Sequence, residues 1–130
     1  MTELRRRPLA VLVFAQLFGT ALWFSINGVW FSLAGELGLG ESDLGRLTLS
    51  VQAGFIVGTL VLATTGLADR FSASRIFATA SLLGALTNAG FILAAAHAPW
   101  DGLLRFLTGL CLAGIYPLGM KMVIAWTPAH

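Results

Sequence analysis

The chain has 130 residues, 57% hydrophobic and 11% charged, with eight Lys or Arg against six Asp or Glu and a mean hydropathy of +0.83. Soluble domains keep about 25% charged residues to wet their surface, so this composition excludes a soluble globular domain and implies an integral membrane protein. The net charge of +2 does not point to nucleic acid, because the arginines gather at the ends of apolar runs and not along one face.

A helix needs about 20 mostly apolar residues to cross the hydrocarbon core, and four stretches qualify: 9–33, 47–67, 76–96 and 103–126. The first follows Arg5, Arg6 and Arg7. It is longer than a signal-peptide core and has no convincing small-residue cleavage site, so it is expected to remain as an anchor. Along it Gln16, Thr20, Trp23 and Asn27 fall at i, i+4, i+7 and i+11, one face of a helix. Amides are costly in hydrocarbon unless hydrogen-bonded or facing a wet cavity. The stripe therefore reads in two ways: interhelical bonds worth about 0.6 kcal/mol each, or the lining of a solute pathway.

The first connection carries Glu36, Glu41 and Asp43 against Arg46. In the second span Gln52 and Thr59 share a face, and in the third Ser81 and Asn88 do. Between these spans lies the polar hairpin 66–75, with Asp69, Arg70 and Arg75; the last connection holds His97 and Asp101. Basic residues collect on the cytoplasmic side. Five arginines then lie inside and Arg46 outside, which makes both termini cytoplasmic. No connection is long enough for a soluble domain, so one transmembrane domain over 1–130 is expected.

The fourth span carries most of the unusual residues. Arg105 lies about one turn inside its outer end and Lys121 about one turn inside its inner end. Lys121 fits snorkelling to the headgroups. Arg105 runs against the positive-inside bias and reads as a functional residue. Tyr116, eleven residues on, shares the angular position of Arg105, and Pro117 is expected to kink the helix. Each span also has small residues four apart: Ala15 and Gly19, Gly54 and Gly58, Ala80 and Gly84, Gly109 and Ala113. Such seams let helices approach closely where lipid supplies no hydrophobic drive.

No metal or other cofactor is expected, and no enzymatic activity. Cys111 is the single cysteine, His97 and His130 lie outside the spans, and Asp69 and Asp101 fall on opposite faces. A dimeric small multidrug-type transporter would need a membrane-embedded glutamate in the first span, which holds Gln16 and Asn27 instead. An accessory or assembly subunit without transport of its own remains a second alternative, since the small-residue seams would suffice for it.

The hairpin Gly66-Leu67-Ala68-Asp69-Arg70-Phe71 through Arg75 resembles the signature loop between helices two and three of the major facilitator superfamily. Leu67, Ala68, Asp69 and Arg70 match in place. Thr65 stands at the first glycine, Gly66 comes one position late, Ser72 replaces the second glycine, and the terminal basic pair is reduced to Arg75. Arg105-Phe106-Leu107-Thr108-Gly109 is similar to the R-x-x-x-G pattern of that family's fourth helix, and 114–121 to its lower half. The resemblance implies an all-α membrane fold, here the first four helices of a six-helix half, in a bacterial inner membrane. It also implies alternating-access movement of a small solute, with protons as one coupling option. Asp69 would cap a helix of the opposite half and pair with Arg70 and Arg75 to close a cytoplasmic gate with Gly66. Arg105 would lie near the substrate or coupling region, with Gln16, Thr20, Trp23, Asn27, Gln52, Asn88, Tyr116 and Lys121 as candidate cavity residues. Family members have twelve spans in two halves. This chain is therefore expected to be a truncated product, a fragment or one piece of a larger assembly that needs further helices or another chain.

Overall fold

Two glycines in the left-handed region, Gly38 (φ 67°) and Gly66 (φ 66°), end the first two long helices, a conformation that residues with a Cβ adopt at a cost. In the computed structural model, which describes residues 3–95, 97 and 99–127, with side chains from residue 7 onward, the chain is helical between these punctuations. The elements are α1 (Glu3–Leu37), α2 (Glu41–Thr65), the single turn α3 (Leu67–Arg70), α4 (Ala73–Ala94) and α5 (Trp100–Trp126). The side chains of Arg5 and Arg6, residue 96 at the end of the expected third span, and His130 lie outside the described residues.

Four of these helices are long and apolar enough to cross a membrane: Arg7–Leu37, Glu41–Thr65, Ala73–Ala94 and Trp100–Trp126. The protein is an all-α, multi-pass integral membrane protein. The helices differ from the apolar runs at their ends. α2 starts six residues before 47, because its first turn is polar: Gly40 N–H donates to Asp43 Oδ2 at 3.0 Å and caps the helix. It stops at Thr65, so Gly66 and Leu67 belong to the hairpin, which itself forms the turn α3. α5 runs through Pro117 as one element.

The bundle is organised around α5, against which α1, α2 and α4 all pack. Gly54 and Gly109 carry the α2–α5 crossing. A Cβ on Gly54 would meet the Phe106 backbone, and one on Gly109 would meet the backbone of Val51 and Phe55. Gly58 faces Ala113, Gly114 faces Ala80, and Gly19 faces Ile115. The α2 and α5 seams thus meet each other, as Ala80 of α4 meets Gly114 of α5, whereas Gly19 and Gly84 accept larger side chains such as Ile115, Leu22 and Cys111. Two apolar clusters fill the rest. Ile26, Trp30, Leu47, Phe91 and Ala95 close one end of the bundle, and Val51, Ala80, Leu112 and Ile115 pack at its middle.

Candidate functional site

Arg105 is the largest fully buried side chain, 1% exposed, and it ties three helices together. One terminal nitrogen donates to Asn88 Oδ1 of α4 at 3.0 Å and to Ser25 Oγ and the Leu22 carbonyl of α1, both at 3.3 Å. The other donates to the Trp23 carbonyl at 3.1 Å. Ser25 Oγ is also 2.9 Å from Asn88 Oδ1, so serine, amide and guanidinium form one closed network. Nothing snorkels: the head group points into the bundle about 8 Å from the start of α5. No carboxylate among the described residues joins it. Among the described residues the ion pairs are those of Arg46 with Asp43 and Asp101, and Arg105 Nε is buried without any partner. Buried charges are costly unless paired. Arg105 is therefore, among the described residues, a cation held only by dipoles, without a counter-charge.

Toward the other end of α1, Gln16 Nε2 donates to the Tyr116 carbonyl of α5 at 3.3 Å, in the space that Gly119 leaves by lacking a side chain. Gln16 Oε1, Thr20 Oγ1 and Ser81 Oγ are buried without a partner. Trp23 is half-buried and packs its ring 4.7 Å from Phe55 of α2. The stripe Gln16, Thr20 and Trp23 therefore lies along the inner edge of α1. Its last member, Asn27, is exposed, as are Gln52 and Thr59 of α2. Only part of α1 packs on α5, so one helical face meets different surroundings along its length. The expected grouping of Gln16, Asn27 and Arg105 thus reduces to Gln16 and Arg105 on the α1–α5 side. Tyr116 is 43% exposed although Arg105 is buried. Their shared angular position does not give them shared surroundings, because neighbours differ along α5. Lys121 is exposed toward the far end of the same helix.

The hairpin residues Asp69, Arg70 and Arg75 are exposed, and Gly66 supplies the turn. Backbone bonds from Asp69 and Arg70 N–H to the Gly66 carbonyl, at 3.0 and 3.2 Å, hold the turn. Among the described residues Asp69 makes no ion pair with either arginine. Gly109, the second landmark of the helix-four pattern, is buried at the α2–α5 crossing and serves packing.

One polar feature escaped the sequence reading. Asp101, 1% exposed at the start of α5, takes a two-pronged bond from Arg46 of α2, at 3.0 and 2.8 Å, and also accepts from Gly102 N–H at 2.7 Å. The two residues sit in connections by hydropathy, but helical starts bring them together. The available signal was that Arg46 is the single basic residue between the first two spans, close to a span end, as Asp101 is.

Comparison with known proteins gives a partial likeness. No protein-family model matches the chain, and no solved structure does. The niacin transporter NiaP of Acinetobacter baylyi is 39% identical over 84 residues, covering 62% of this chain and 18% of that protein. The chain thus spans less than a fifth of the length of that curated relative. What is established is a four-span helical membrane bundle with a buried arginine that has no carboxylate partner among the described residues, and a partial similarity to a transporter.

Proposed function

We propose that this chain forms the first four helices of a secondary transporter of the major facilitator type, moving a small anionic solute by alternating access and working with further helices that complete the pathway. The supporting observation is Arg105. A cation buried in the membrane part of a bundle, held by carbonyl, amide and hydroxyl dipoles and without a carboxylate partner among the described residues, leaves a net positive charge that favours a nearby anion. The half-buried stripe of Gln16, Thr20 and Trp23 would border the solute path on α1, with Asn88 beside Arg105 on α4. Asp69 on the exposed hairpin would be the gate residue, its partner lying in helices beyond these four. Proton coupling belongs to the same proposal, as do the inner membrane and cytoplasmic placement of both termini.

The proposed solute class rests on the charge of Arg105 and on the name of the relative. A small aromatic monocarboxylate such as niacin fits both. Cells that lack niacin uptake and express the complete reading frame would be given radiolabelled niacin or its neutral amide. Saturable uptake of the acid in preference to the amide is expected. Equal uptake of the two would remove the anionic reading.

A further inference from the structure

The face of α5 turned away from α1 carries a second feature. α2 and α4 both pack against α5 but scarcely against one another. Between them lies a groove of about 860 Å³, floored by Leu107 and Cys111 and walled by Val57, Val61 and Leu83. No residue of α1 lines it, so it is separate from the Arg105 network. Its walls are mostly aliphatic, with Phe71 and Thr79 toward the hairpin end, and the Thr87 hydroxyl is turned to the Gly84 carbonyl and to Thr108, at 3.1 and 3.0 Å. One charge borders the groove: Arg75, exposed at the hairpin end.

We propose that this groove binds one acyl chain of an anionic phospholipid, with the headgroup phosphate paired to Arg75. Arg75, Thr79, Leu83 and Thr87 lie four apart on α4 and all line the groove, so it runs for about 18 Å. Half of a hydrocarbon core is about 15 Å, so the groove matches one leaflet. The charge sits where the headgroup would be, and the cytoplasmic leaflet is the anionic one. Beside the small residues Gly58, Ala80 and Gly114, the side chains of Val57, Val61, Leu83 and Leu107 present a branched aliphatic surface suited to a flexible chain.

The test uses the full chain reconstituted in phosphatidylcholine vesicles with a trace of photoactivatable lipid, carrying the diazirine on an acyl chain. Crosslinks are mapped by peptide mass spectrometry. Phosphatidylglycerol should label Leu83, Leu107 or Cys111 about fivefold more than phosphatidylcholine does, as expected for one basic side chain at an anionic surface. Arg75→Gln should abolish that preference and Arg75→Lys retain it; the two variants share a folding check by gel filtration. Equal labelling by both lipids, or labelling spread over α1 and α4 alike, would overturn the proposal. So would disulfide-linked dimers through Leu83→Cys in a Cys111→Ala background, since a second copy would then occupy the groove.

Discussion

Replacing Gly109 by alanine probes the closest helix crossing in the bundle. The new Cβ would lie 2.9 Å from Phe55 N and from the Val51 carbonyl carbon, and nearer still to the Val51 carbonyl oxygen. All three are backbone atoms, so no rotamer change relieves the clash, and α2 must move away from α5. Overpacking costs about 1–3 kcal/mol, and a backbone obstacle belongs at the upper end. Alanine returns up to about 1 kcal/mol of helix propensity, which leaves a net loss of about 2 kcal/mol. Gly45 supplies the control, since it lies within α2 with nothing within 4 Å of an added Cβ. Gly45→Ala should stabilise by up to about 1 kcal/mol. Unfolding of the detergent-solubilised chain by sodium dodecyl sulfate, followed by far-ultraviolet circular dichroism, measures both. The reasoning fails if Gly109→Ala matches the parent chain, or if the two alanines have the same effect.

Three further outcomes follow from the polar contacts. Asp101→Asn keeps the shape of the side chain but removes the charge opposite Arg46. A double-mutant cycle with Arg46→Gln should return a coupling of about 1.5–3 kcal/mol, the range for hydrogen bonds to charged groups; a coupling near zero would show that the contact is incidental. Gln16→Ala should cost at most about 1 kcal/mol, because one bond of 3.3 Å to Tyr116 is lost while an unsatisfied Oε1 also disappears; a loss above about 3 kcal/mol would mean a larger role in packing. In a Cys111→Ala background, Ser72→Cys should resist an impermeant thiol reagent applied to intact cells and react after permeabilisation. Labelling from outside would invert the topology.

How much of this was legible in the sequence depends on the kind of signal. The four spans were plain because each apolar run exceeds the bilayer requirement. Their ends were not, because Glu41, Asp43 and Arg46 read as connection by hydropathy yet continue a helix whose first turn favours acidic side chains. The glycine seams were visible as spacings, and the crossings use them as Gly54 against Phe106 and Gly109 against Val51. Arg105 stood out as an intramembrane cation. Its acceptors did not, since the Leu22 and Trp23 carbonyls leave no mark on side-chain identity and Ser25 lies about 180° around the helix from the recognised stripe. For Asn27 the limit is different: periodicity reports which residues share a face, not how far along the helix that face stays covered. The Arg46–Asp101 pair joins residues 55 apart, and nothing local announces such a contact.

The central claim is that the uncompensated charge of Arg105 serves an anionic solute, and the initial rate of radiolabelled niacin uptake tests it most directly. Cells expressing the complete reading frame would be compared with Arg105→Lys and Arg105→Met variants at matched amounts of membrane-inserted, monodisperse protein. The account predicts saturable uptake by the parent chain, partial uptake with lysine, which keeps the charge but not the fork of donors, and none with methionine. Wild-type uptake by Arg105→Met, or no uptake of the acid by the parent, would contradict it.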